Sequence, residues 1–198
     1  MFRDVIEETI ENSFNVRDEY KSKTVDELKE ICKKDSLPYR VCMLNVEGDL
    51  NIGMSARTAS LLGAEKFYVF GRRKIDRRSL VGAQNYLPIE RVDGLDEKGN
   101  ISLDKFIAFC NAEEIEPVLV EHGGLNIENF DWKGFVNITC GNLKRTMCLV
   151  FGNESTGIPR EFTGFWKVRI PQRGVLRSYN VASCASIVMW DVYKVLTT

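Results

Sequence analysis

The chain has 198 residues, 44% of them hydrophobic and 28% charged, with a formal net charge of −1. That length suits one domain plus an extension and buries a real core, and the composition is that of a soluble globular protein. Near-neutrality rules out nucleic-acid binding through overall charge, so any such function must rest on a local basic patch.

Residues 1–38 read as a charged helical extension. Thr24 and Glu27 have capping-box spacing and open a helix through about Lys34. Ile6, Ile10, Phe14, Leu28 and Ile31 form a thin apolar stripe that packs on something larger. Residues 39–198 read as the main domain. A buried strand is expected over 40–46, then a helix over 51–62 closed by Gly63, with Asn51 well suited to its N-cap. A strand over 67–70, a helix over 103–110 and strands over 117–120, 148–151 and 168–170 follow, before a closing helix over 180–196. Strands alternating with helices predict an α/β fold, a parallel sheet with helices on both faces.

Six cysteines (Cys32, Cys42, Cys110, Cys140, Cys148 and Cys184) are scattered without a C-x-x-C pair, beside a single histidine, His122. No zinc-finger spacing can be assembled, so no metal is expected. The thiols read as reduced and structural, in an intracellular, cytoplasmic protein. The N-terminus is acidic and lacks an apolar core, so no signal peptide is expected. No apolar run approaches the ~20 residues of a membrane span, so no membrane partner is expected.

Two Gly- or Pro-broken loops, 152–159 and 172–178, each follow an apolar strand, as a ligand pocket at strand C-termini requires. Gly152 and Gly157 have P-loop spacing, but Ile158 and Pro159 stand where the phosphate-binding Lys and the metal-binding Ser/Thr belong. No G-x-G-x-x-G follows a strand and no G-x-S-x-G elbow occurs. His122 reads as a loop histidine with no catalytic part. The run Arg72, Arg73, Lys74, Arg77 and Arg78 is the strongest positive cluster, and Arg173 and Arg177 add charge further on. Their placement after strands favours phosphate contacts over a merely solvated surface.

Three segments resemble, in order, the signature motifs of the SpoU/TrmH family of RNA ribose 2′-O-methyltransferases. The first runs from Asn51 through Gly53 and Arg57 to Ala59, the second from Leu149 to Pro159, and the third from Ile170 to Ala182. The run Ile170-Pro171-Gln172-Arg173-Gly174-Val175-Leu176-Arg177-Ser178, with Trp190, Asp191 and Tyr193 later, looks most like the branch that methylates tRNA guanosine. Segment 83–88 resembles that branch as well. Tyr179 departs from the family's usual Leu, and Ala182 stands where Ser is common.

The resemblance implies a C-terminal deep trefoil knot, a topology that periodicity could never suggest. It implies S-adenosylmethionine as cofactor, held by Glu121, Phe151, Gly152, Asn153, Glu154, Gly157, Ile170, Pro171, Gly174, Ser178, Tyr179 and Asn180. Gly152 is expected to let the backbone approach that ligand, and Pro171 and Gly174 to fix the third motif's turn. It implies catalytic roles for Arg57, Asn51, Glu154, Ser178 and Asn180. Arg57 would hold RNA phosphate and the 2′-OH, Glu154 would brace its loop, and the general base is either a phosphate oxygen or Arg57 itself. An RNA substrate, tRNA in preference to rRNA, and a homodimer with sites lined by both subunits are implied too. The closing helix supports the dimer independently. Val181, Ala185, Val188, Val192 and Val195 recur at helical spacing, with Ile187, Trp190 and Leu196 apolar beyond that face.

Overall fold

The computed structural model describes residues 16–71 and 75–198, together with every side chain in that span except that of Arg77. The expected stripe positions Ile6, Ile10 and Phe14, and the basic residues Arg72, Arg73 and Lys74, lie outside the described residues.

Thr24 opens α1 (Val25–Lys34) with the expected capping box. The Glu27 N–H donates to the Thr24 hydroxyl at 3.3 Å, and the Thr24 N–H donates to the Glu27 carboxylate at 2.8 Å. Strand β1 (Leu37–Leu44) leads into α2 (Asp49–Leu61) and β2 (Ala64–Phe70), followed by β3 (Ile89–Val92) and α3 (Leu103–Ala112). Then come β4 (Ile115–Asn126), the short α4 (Trp132–Val136), β5 (Thr146–Phe151), β6 (Trp166–Arg169) and the closing α5 (Val181–Thr197). The six strands form one sheet in the order β3-β2-β1-β5-β4-β6, and every pairing is parallel.

Alternation along the strands divides the core. Val41, Met43, Phe67, Val69, Leu149, Phe151 and Val168 pack one face of the sheet against Ile52 and Ala56 of α2, Trp132 of α4 and Ala185 and Val188 of α5. Cys42, Leu44, Tyr68, Phe70, Cys148 and Val150 pack the other face against Phe106 and Phe109 of α3 and against Ile158 and Phe162. Helices therefore cover both faces, as the α/β reading requires. All six cysteines are free thiols, with Cys42, Cys110 and Cys148 buried.

The structure departs from expectation in four places. Helix α2 begins at Asp49 with Gly48 as its N-cap, so Asn51 lies in the first turn and its amide is released for longer-range bonds. Strand β3 is a short edge strand whose Glu90 and Arg91 are exposed, so it carries no apolar alternation to announce it. Helix α4 and the π-helical turn Asn137–Leu143 are local constructions: Asp131 accepts from Gly134 N–H at 2.9 Å, and the Thr139 hydroxyl bonds back to the Phe135 carbonyl at 3.0 Å. Strand β4 continues six residues past the expected end. Its register against β6 shifts between Val120 and Leu125, a bulge that places His122 on the strand extension rather than in a loop.

Candidate active site

Strand β1 is followed in the sheet by β2 and β3 on one side and by β5, β4 and β6 on the other. The chain thus reverses its direction of travel between β1 and β5, where open α/β sheets place ligands beyond the strand C-termini. A cleft of about 820 Å³ opens at the ends of β4, β5 and β6, within the size range of small-molecule sites.

The loop after β5 forms one wall. The Gly152 α-carbon faces the returning chain so closely that a Cβ would lie 2.5 Å from the Gly157 carbonyl carbon and 2.6 Å from Ile158 N. Glycine is therefore required by this tight return of the loop on itself, in addition to any approach by a ligand. Asn153 and Gly157 exchange backbone bonds of 3.2 and 2.9 Å, closing the loop. The Asn153 carboxamide oxygen accepts from the Ser155 and Thr156 N–H groups at 2.8 and 3.1 Å, while its NH₂ donates to the Asn45 carbonyl at 2.8 Å. Gly157 adopts φ +68°, and its missing Cβ leaves room for Glu121. That carboxylate accepts from Ile158 N–H at 2.9 Å and from its neighbour His122 N–H at 2.8 Å, so both oxygens serve the protein's own backbone.

Glu154 draws the three motifs together. One oxygen accepts from Gly48 N–H at 3.0 Å and from the Asn51 amide at 2.8 Å, and the other from Glu47 N–H at 2.9 Å. Burial works to raise the carboxyl's pKa. The Asn51 bond and the backbone N–H donors outweigh it and hold the group below the usual carboxylate range. Asn51 in turn accepts from the Asn180 amide at 3.0 Å, and the Asn180 oxygen caps α5 through Ala182 and Ser183 N–H at 2.9 and 3.3 Å. Asn180 thus caps α5 and bonds the first motif with one side chain.

The opposite wall is built differently. Residues 171–180 are all exposed, Val175 and Leu176 at 103% and 81%, and the Tyr179 hydroxyl makes only a 3.4 Å bond to the Pro171 carbonyl. Ile170, Ser178, Tyr179 and Asn180 line the cleft along with Phe151, whereas Pro171, Arg173 and Gly174 stand outside it. Gly174 has open space around its α-carbon and no positive φ, so it does not fix the turn as expected. Among the described residues Ser178 makes no hydrogen bond. Cys184 lines the inner end, its thiol pushed up to about 12 by burial, with the Glu121 charge adding to the effect.

Arg57 does not reach this cleft. It is exposed, with no ion pair or hydrogen bond among the described residues, and shares its face of α2 with Leu50, Met54 and Leu61, exposed at 75%, 58% and 76%. Of the basic run, Arg78 alone has its side chain among the described residues. Arg78 forms a paired contact with Asp76 at 2.9–3.1 Å, which neutralises it locally. Three cations that sequence reasoning passed over do line the cleft, namely Arg160, Lys167 and Arg169. Strand alternation could have found two of them, since Val168 is buried and its neighbours on either side must face away from it.

The sequence profile of the SpoU rRNA Methylase family matches residues 38–190, most of the chain and all three motif segments. The chain belongs to this family. No curated protein sequence matches it significantly. Among solved structures, an S-adenosylmethionine-bound rRNA methyltransferase from Sinorhizobium meliloti superposes with a TM-score of 0.64 at 23% identity, over 86% of this chain and 61% of that one. The TrmH/SpoU tRNA-modifying enzyme of A. aeolicus gives 0.64 at 22% identity, over 86% and 81%. A protein described for 2-OH methylation of C/U34 on tRNA gives 0.60 at 21% identity, over 81% and 99%. At these identities the likeness is one of fold, and the chain spans under two thirds of the S. meliloti protein. Among the described residues, no group of three His, Cys, Asp or Glu side chains could hold a metal ion, and no helix is long and apolar enough to cross a membrane.

Proposed function

We propose that this SpoU-family chain transfers a methyl group from S-adenosylmethionine to a ribose 2′-OH of RNA, with tRNA guanosine as the favoured target. The observation that carries the reading is the Asn51–Glu154–Asn180 junction, which ties three separate motifs to the mouth of one cleft. The cleft's size and its two walls of loop backbone fit the cofactor, which supplies an electrophilic methyl when bound. Phe151, Gly152, Asn153 and Gly157 would hold it from one side, and Ile170, Ser178, Tyr179 and Asn180 from the other. The insertion of β5 between β1 and β4 is compatible with a trefoil knot in this region, as the family resemblance implies.

Arg57 would act in the site of a second copy. It lies on an exposed apolar stripe of α2, beside α5, whose Ile187 and Trp190 are exposed at 37% and 52%. The Thr58 and Ser186 hydroxyls, 3.3 Å apart, join the two helices, so both stripes belong to one surface. A homodimer closing over that surface would bring the guanidinium to the partner's cleft, where it would hold phosphate and stabilise the developing alkoxide. The residues ahead of β1, which starts at Leu37, would be an appendage to this domain, and the free thiols fit a cytoplasmic enzyme.

Labelled cofactor offered to total tRNA and to rRNA, followed by nuclease mapping, tests the assignment. Label at a guanosine 2′-O of tRNA is expected. Label in rRNA alone would move the substrate, and label in neither would overturn the activity. Arg57→Ala should lose about two to three decades of turnover, ~3–4 kcal/mol, while still binding S-adenosylhomocysteine. EDTA should leave transfer intact.

A further inference from the structure

The charges that line the cleft are unbalanced in a way the cofactor does not explain. Arg160 enters from the loop after β5, Lys167 and Arg169 from β6, and Arg177 from the loop before α5: four cations on one cleft. The lining carboxylates are Glu121 and Glu154, and each has both oxygens committed to the protein's own N–H donors. Among the described residues Arg160, Lys167 and Arg177 have no hydrogen bond or ion pair. Arg169 donates its Nε to the Asn126 carboxamide oxygen at 2.8 Å, which fixes the guanidinium while leaving its two terminal nitrogens without a protein partner among the described residues. Trp166 and Val168 turn toward α4 and the core, so Lys167 and Arg169 share the cleft side of the edge strand.

S-adenosylmethionine carries a sulfonium and an ammonium against one carboxylate, a net positive ligand. A cleft with two more cations than carboxylates opposes it, unless a polyanion enters alongside. We infer that Arg160, Lys167 and Arg169 form an oxyanion-binding rim that grips a phosphate of the substrate RNA next to the methylated ribose. Given the methyltransferase reading, on which this rests, the RNA leaves the cleft across the exposed edge of β6. The three residues are positioning groups that act by fixing the RNA backbone.

Arg160→Gln/Lys167→Gln removes two charges without cutting any protein bond, and Arg169→Gln is made separately. Fluorescence anisotropy with unfractionated tRNA at several salt concentrations reads the RNA arm, and calorimetry with S-adenosylhomocysteine reads the cofactor arm. The double variant is expected to weaken tRNA binding at least tenfold. Its log–log salt slope should shrink by ~0.7–0.9 per lost phosphate contact, with cofactor affinity unchanged and Lys167→Arg near wild type. An unaltered slope and affinity in a variant of a wild-type enzyme that methylates RNA would overturn the rim alone. Loss of cofactor binding with RNA binding intact would overturn it too, assigning the cations to the cofactor carboxylate. A wild-type protein that binds neither ligand would remove the underlying methyltransferase reading.

Discussion

The two loops that wall the cleft make opposite use of the same residue types. The loop after β5 is bonded to itself, to the end of β1, to β4 and to α2 through Asn153, Glu154 and Glu121, and one of its glycines exists because the loop folds back on its own backbone. The loop after β6 lies almost wholly in solvent, and its glycine answers no steric demand. One wall is thus set by folding, and the other is left to be ordered by what arrives. A site of this kind pays the ordering cost of one wall only when ligand or partner supplies contacts, which ties cofactor capture to completion of the site.

The sharpest break of that contrast is Gly152→Ala. Its methyl would lie 2.5–2.7 Å from atoms of the Gly157–Ile158 peptide, so the cost should be at least ~3 kcal/mol, the top of the overpacking range, seen as a lowered denaturation midpoint or loss of folded protein. Glu154→Gln comes next. Three donors converge on that carboxylate, and an amide must turn an NH₂ toward at least one of them, for ~1–3 kcal/mol by chemical denaturation.

The same carboxylate predicts a pH effect with a definite sign. Its folded pKa lies below the ordinary 4.5, so its stabilising contribution is complete above pH 4.5 and fades as pH falls through the folded value. Thermal unfolding from pH 7 to pH 3 should show that loss in the wild type, and Glu154→Gln should be flatter. Hydrogen exchange sharpens the comparison. Amides of 172–179 should exchange far faster than those of 153–158, and saturating S-adenosylhomocysteine should slow the first set much more than the second. The smallest effect belongs to Gly174→Ala, expected within ~0.5 kcal/mol of wild type in the free protein.

Most of the elements were legible in the sequence because they obey local rules. The Thr24–Glu27 box, the end of α2 at Gly63 with φ +74°, and the buried strands all sit where their own residues put them. Local rules failed where an element is stabilised from elsewhere. Strand β3 exists because β2 offers it an edge, and the β4 extension because β6 pairs with it past a bulge. Asn51 looks like a cap in sequence, yet Gly48 takes that place. Its carboxamide is then shared between Glu154 and Asn180, partners 103 and 129 residues away.

The sequence by itself determined the α/β class, the family and the identity of the polar residues at the cleft, because each is written in residue types at fixed short spacing. Tertiary structure decided which of them share a space. It set Arg57 on an outer face rather than in its own cleft, spent Arg78 on Asp76, and turned Lys167 and Arg169 inward from an edge strand. The physical reason is range. Spacing fixes which side of an element a residue faces, but the neighbour on that side is chosen by the sheet order and by which loops meet at the strand ends.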